Sequence, residues 1–316
     1  LKPIITLLLL MSLSTFSAQW FPVPDGWISK SGELIKKNID TSFYSSQGYA
    51  RFKKEGLFQF VKLNNPDYVS EKYEALTDFN EGYAMAKQNG KWWVMDTAEQ
   101  KIKEIACHYA YRFQEGLARI QLGNRFGFID TKGELVIPVK YYGAHDFSEG
   151  RARVYLNDNW GVINKQGQWV VKPIYNYIWD YSEDVACVMK SDKGKETWGY
   201  INKDGVTTID LKFDYVFPFS SGMALVRSGD YFNNDLKFID KEGKIIYDVP
   251  YVDIFPFSDG LACFYQNEKW GYINEKFEVV IEPRFDHPSD FKMGLAQVYM
   301  DGKLMYIDQD GNVLWE

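Results

Sequence analysis

An all-β protein of tandem repeats is what the 316-residue sequence predicts, and three observations predict it. A motif of aromatic, two residues, glycine, one residue, alanine recurs with a period of ~34 residues. Aromatic side chains make up 17% of the chain, a load that suits half-buried pleated strands. Around the motif, apolar and variable positions alternate, as in Ala118 and Ile120, Ala152 and Val154, or Ala186 and Val188. Alternation with period two marks a strand with one buried face.

The elements follow in chain order. Residues 1–18 differ from everything after them: Lys2 supplies a positive charge, Ile4 to Leu13 form an apolar run, and Ser14, Thr15, Ser17 and Ala18 supply small residues. This layout predicts a secretory signal peptide, cleaved after Ser17 or Ala18 and too short to anchor in a bilayer. Residues 19–316 then form one repeat domain, and the chain is not expected to be an integral membrane protein. The motif reads Phe79 to Ala84, Phe113 to Ala118, Phe147 to Ala152, Tyr181 to Ala186 with Asp184 for glycine, Phe219 to Ala224, Phe257 to Ala262 and Phe291 to Ala296. A worn first copy, Gly48-Tyr49-Ala50, has Ser45 where the aromatic belongs. The anchor positions are therefore 48, 82, 116, 150, 184, 222, 260 and 294. The alanine is present in every copy, which predicts that a ring or backbone packs close against it.

A second strand begins near an aromatic-glycine pair: Phe126-Gly127, Trp160-Gly161, Trp198-Gly199 and Trp270-Gly271. Two repeats are longer at the hairpin before this strand, at Ser191 to Thr197 and around Gly229 to Asn234. An Asp or Asn with glycine three residues later follows, at Gly133, Gly167, Gly205, Gly243 and Gly311, and reads as a tight hairpin with glycine in the left-handed region. A third apolar stretch ends in proline in several copies, such as Glu134 to Pro138 and Val279 to Pro283. An aromatic with an acidic or amide neighbour closes the unit, as in Tyr175-Asn176, Phe213-Asp214 and Phe285-Asp286. Each unit thus reads as three strands and a short fourth segment.

These linked positions resemble the WG-repeat family of bacterial proteins over roughly residues 26–316. The likeness weakens at the Gln59-Phe60-Val61 copy, at Trp92-Trp93 and at Leu304-Met305, where the aromatic-glycine pair is lost. The resemblance implies a β-rich repeat architecture and an interaction scaffold without a shared catalytic set. Units of this size close into a β-propeller-like ring or stack as open β-meanders. Gly26 to Gly32 carries the second-strand pattern with no first strand ahead of it, and the chain ends in a complementary fragment from Gly294 to Gly311. Complementary fragments suit a ring closed by a shared blade, so a closed ring of seven or eight blades is preferred to an open stack.

The chemistry-bearing residues point away from catalysis. Cys107, Cys187 and Cys263 are odd in number and have no Cys or His beside them at metal spacing, so neither a disulfide framework nor a metal site is expected. His108, His145 and His287 fall at unrelated repeat positions; His145 has Asp146 beside it, but adjacent strand residues point to opposite faces, so a structural histidine is expected rather than a base. No nucleophile elbow, zinc-protease helix or phosphate loop is present. Ser191 to Trp198 is similar to the turn box of sialidase-type propellers, which is a structural turn and carries no activity. Net charge of −7 disfavours sequence-independent nucleic-acid binding. The expected function is an exported, periplasmic or secreted, non-enzymatic scaffold without cofactor, binding a protein partner in the cell envelope or outside. A glycan or cell-wall ligand held by exposed aromatics is the alternative, and a glycosidase-like carboxylate pair the second. The sequence singles out no binding residue and no oligomeric state.

Overall fold

The computed structural model describes residues 19–229 and 235–316, so the expected signal peptide lies outside the described residues. The strands group into nine antiparallel sheets in chain order, or blades: 20–36, 41–69, 75–105, 109–141, 143–175, 177–213, 215–248, 253–285 and 287–315. Among the described residues, blades 2 to 9 have four strands and blade 1 has three. Blade 5 shows the plan: a two-residue inner strand Gly143–Ala144, then Arg151–Leu156, Asn159–Asn164 and the outer strand Trp169–Tyr175. The short segment read as the end of each unit therefore leads into the next blade. Tyr175 ends blade 5, and the following Tyr177–Ile178 pairs with Val185–Asp192 of blade 6.

The core lies between blades, not within them. Nine apolar clusters each join two neighbouring blades, and they cover all nine junctions, including blade 9 to blade 1. At that last junction Phe21, Val23 and Ile28 pack with Leu295 and Tyr306, and the Tyr306 hydroxyl donates to the Pro22 carbonyl at 2.8 Å. The sheets thus form a closed nine-bladed ring. The expectation of seven or eight blades sharing one is corrected on two counts. Trp20–Val23 is the strand that the Gly26 fragment was expected to lack, and blade 9 completes its own sheet with His287–Pro288 and Val313–Trp315. Side-by-side packing closes the ring without a shared sheet.

The repeat positions gain physical reasons. All eight motif alanines are at most 1% exposed, and Ala152 sits in the cluster where Phe147 meets Phe128 of blade 4 edge-on at 5.1 Å. A larger side chain there would separate the blades. The glycine of the aromatic-glycine pair answers to the outer strand: a Cβ at Gly127, Gly161, Gly199 or Gly271 would stand 2.5–2.6 Å from the carbonyl oxygen of Ile137, Val171, Ile209 or Ile281. The ladder is bulged at this point in each of the four blades, and each has a seven-residue outer strand. Blades 2, 3, 7 and 9 carry Gln59, Trp93, Lys237 and Met305 instead, and their outer strands shorten to between three and five residues.

Turns tie the blades together. Asp130 Oδ1 accepts the amides of Lys132 and Glu134, while Gly133 at φ 78° packs on Lys103 and Ile105 of the preceding blade. Gly32 meets Leu314 in the same way, so the closing junction repeats the others on its outer side. The acidic or amide residue after each outer strand caps the next hairpin: Asn176 accepts from the Ser191 amide, Asp214 from Gly229 and Asp286 from Asp301. The first lengthened hairpin extends by the pairs Ser191↔Glu196 and Asp192↔Lys195; the tip of the second, 230–234, lies outside the described residues.

Candidate functional site

In six of the eight copies the residue before the anchor supplies an inter-blade clamp, and together these make a belt on one face of the ring. Glu81 accepts the Gly116 amide at 2.6 Å, Glu115 that of Gly150 at 2.8 Å, and Glu149 that of Asp184 at 2.7 Å. Gln47 holds Gly82 at 2.8 Å and Asp259 holds Gly294 at 2.5 Å. The preceding residue adds a second tie, as where the hydroxyls of Ser148, Ser182 and Ser258 donate to the carbonyls of Tyr181, Phe219 and Phe291. Lysines after the next blade's turn close the belt: Lys165 lies 3.1 Å from Glu115 and Lys203 lies 3.2 Å from Glu149. Ser221 and Met293 stand at the acidic position in blades 7 and 9, where neither side chain supplies a carboxylate.

A second system lies toward the axis, three residues after the anchor. Arg51, Arg119 and Arg153 occupy this place in blades 2, 4 and 5, and each reaches into the next blade. Arg51 Nε donates to Asp78 at 2.7 Å and Nη1 to the Leu76 carbonyl at 2.9 Å. Arg119 pairs with Asp146 at 3.2 Å and donates to the Ala144 carbonyl. Arg153 donates to Asp180 at 2.8 Å and to the Ile178 carbonyl. Each guanidinium also meets a ring five residues before its own anchor. Arg51 lies 4.0 Å over Phe43, Arg119 lies 3.8 Å over Tyr111, and Arg153 Nη2 is 3.0 Å from His145 Nδ1.

Electrostatics follow from this packing. Burial, then the Arg153 charge, holds the His145 imidazole down at about 4, with Asp180 opposing and Arg119 reinforcing. Burial lifts Asp146 above the ordinary carboxylate range although Arg119 and Arg112 pull it down. His145 and Asp146 are therefore parts of arginine slots. His108 is a hairpin cap, accepting the Gly123 amide at 2.9 Å, and His287 starts the inner strand of blade 9. Cys107, Cys187 and Cys263 are free thiols, the last two buried, and burial pushes Cys107 up to about 11. Among the described residues there is no group of three or more His, Cys, Asp or Glu placed to hold a metal ion. The Ser191 to Trp198 segment is the hairpin between the second and third strands of blade 6.

Two cavities open near the inner strands. One, of about 250 Å³, lies between blades 7 and 8 and includes Arg227, Leu236 and Phe255. The other, of about 390 Å³, is lined by Tyr44, Phe255, Cys263, Pro288, Asp290 and Gln297, among others. Tyr44 of blade 2 reaches residues of blades 8 and 9 because blade 1 has no inner strand among the described residues.

The family model described as WG containing repeat matches seven consecutive segments: 67–92, 94–126, 126–160, 160–193, 198–232, 238–270 and 270–303. The chain belongs to the WG containing repeat family. Four of its segments, 94–126, 126–160, 238–270 and 270–303, run from one third strand to the next, so a WG repeat in sequence spans parts of two blades. No curated protein matches this WG-repeat chain in sequence. Among solved structures it is similar in fold to one titled as a eukaryotic initiation factor, with TM-score 0.62 and 11% identity, over 94% of this chain and 95% of that one. Hsv2p of Kluyveromyces lactis overlaps with TM-score 0.42 and 11% identity, over 74% of this chain and 93% of the other. Among the described residues no helix is long and apolar enough to cross a membrane.

Proposed function

We propose that this WG-repeat ring is an exported, non-catalytic scaffold that binds a protein partner. The observation that carries this reading is the kind of apolar surface the blades expose. On the outer strands, adjacent aliphatic pairs stand out in blades 4, 7 and 8: Leu135 and Val136, Ile245 and Ile246, Val279 and Val280, each at least 40% exposed. Aliphatic surface flanked by charge, such as Glu134, Lys244 and Glu278, suits a protein interface. Sugar rings instead call for aromatic platforms. The exposed rings are scattered, with Tyr44 and Phe255 toward the axis, Tyr109 in blade 4, Tyr142 between blades 4 and 5, Trp169 on the outer strand of blade 5 and Tyr299 in blade 9, which favours a protein over a glycan.

The non-catalytic reading draws support from the carboxylates. Asp146 is the described carboxyl lifted by burial, and it faces Arg119 at 3.2 Å and Arg112 at 3.9 Å. A glycosidase pair would need a raised acid opposite a free partner carboxylate. Export rests on residues 1–18 alone, and fractionation of cells expressing the full chain tests it.

Photo-crosslinkers at Val136, Ile246 and Val280, used on envelope extracts, test the binding reading. One discrete protein adduct, lost on Val280→Lys, is expected. Glycan-array binding with no protein adduct would replace this reading with the glycan one, and turnover of chromogenic glycosides would overturn it.

A further inference from the structure

The arginine slots obey a rule that runs from blade to blade. Asp78, Asp146 and Asp180 stand four residues before their anchors, and each follows a blade that supplies Arg51, Arg119 or Arg153. Where the preceding blade has another residue, the aspartate is gone. Arg112 follows Met85, Pro218 follows Cys187 and Pro256 follows Leu225. The junction of blades 8 and 9 breaks the rule, because Asp290 is retained while Cys263 holds the arginine position.

The rest of that slot is intact. Phe255, five residues before anchor 260, holds the place where Phe43 and Tyr111 underlie their arginines. The Pro288 carbonyl corresponds to those of Leu76, Ala144 and Ile178, which accept from Nη1 in the occupied slots. Cys263 stops short of all three, and the cavity of about 390 Å³ lies among these same residues. Ring, carboxylate and carbonyl surround the volume that a guanidinium fills in three other blades. Asp290 has no ion-pair partner within 4.0 Å among the described residues. The opening is accessible: Phe255 is 41% exposed and Tyr44 38%.

We propose that this cavity is a receptor for a guanidinium group, occupied by an arginine side chain of the partner. The carboxylate of Asp290 and the Pro288 carbonyl accept its N–H groups, and Phe255 underlies its plane. Lys292, also lining the cavity, is positive, so the preferred arginine carries a carboxylate or carbonyl within reach of that ammonium. A lysine side chain matches poorly, since its ammonium is a point donor without a planar face. Only the source of the arginine rests on the proposed binding role; recognition of the guanidinium does not.

Nuclear magnetic resonance titration of residues 19–316 with Nα-acetyl-arginine methylamide tests this, with the lysine analogue as comparison. Saturable shifts at Phe255, Ser289 and Asp290 are expected for the arginine probe, with binding at least about tenfold weaker for lysine and for Asp290→Asn, since 1.4 kcal/mol is a tenfold change. Cys263→Arg fills the slot from within and should abolish probe binding while the far-ultraviolet spectrum is kept. Should that variant fail to fold, Asp290→Asn decides alone, as Asp290 is an exposed side chain. No shifts in the wild type, or equal binding by Asp290→Asn, would overturn the proposal. Probe binding by a chain that captures no protein would leave the receptor standing and remove the protein-partner reading instead.

Discussion

Replacing Gly161 by alanine is the sharpest perturbation of a blade's interior. A Cβ there would lie 2.6 Å from the Val171 oxygen, 2.8 Å from the Trp169 ring and 2.9 Å from the Pro173 nitrogen. Ordinary contact begins at 3.4 Å, so the outer strand Trp169–Tyr175 would have to withdraw by about 0.8 Å. Overpacking of this kind costs about 1–3 kcal/mol, and weakening one bond of the bulged ladder adds about 1 kcal/mol. Lower entropy of the unfolded chain returns about 0.4–1 kcal/mol. The net expectation is a loss of about 1–3.5 kcal/mol, read from the urea midpoint of residues 19–316 by near- and far-ultraviolet dichroism. Lys237→Ala is the internal comparison, because blade 7 already accommodates a side chain at this position and has a four-residue outer strand. It should change stability by less than about 0.5 kcal/mol. Equal effects of the two substitutions would refute the carbonyl-approach account of the glycine.

Further expectations follow from the junctions and the buried groups. Glu115→Ala removes the acceptor of the Gly150 amide and the partner of Lys165, and should lower stability by about 1–2 kcal/mol, with Glu115→Gln recovering most of it in the same denaturation assay. His145 resists protonation when folded, so the unfolded chain binds more protons between its ordinary value of 6.5 and about 4, and stability should fall as pH drops through that window. The difference between wild type and His145→Asn in thermal midpoint against pH isolates this contribution; a difference independent of pH contradicts it. Cys187, 1% exposed and pushed up by burial, should react with a thiol reagent at pH 8 only on unfolding, and its prompt reaction in the native protein would contradict its placement.

Strands, turns and the alanine-lined interface were legible because each leaves a periodic mark in the sequence. The blade count was not, for a particular reason: Trp20–Val23 carries no glycine-x-alanine motif, and Ser45 replaces the motif aromatic of blade 2. Those departures are local answers to a blade that has no inner strand among the described residues. Ser45 Oγ accepts the Trp20 amide at 2.8 Å and the Ser42 hydroxyl donates to the Val23 carbonyl at 3.0 Å, covering backbone groups that a strand would otherwise pair. The arginine slots were written in the sequence at fixed distances from the anchors. They acquire meaning only when the sheet order shows that the partner of residue 153 is residue 180 in the next blade. Phe277 is similar: it takes the left-handed turn position held elsewhere by glycine, at φ 63°, and its ring stacks 3.9 Å from Tyr247 of blade 7. Sequence spacing marks the turn, and only the neighbouring blade explains the phenylalanine.

Closure of the ring is the claim on which the slots, clamps and surfaces all depend. Phe21, 1% exposed, packs against Leu295 and Tyr306 at the far end of the chain. Hydrogen exchange on Phe21→Ala tests closure most directly, because the cavity left in a shared core weakens both blades that line it. Faster exchange is expected in Leu295–Met300 and Lys303–Asp308 of blade 9 as well as in Trp20–Val23. Loss of protection confined to residues 20–69, with blade 9 unchanged, would mean that the ends do not meet.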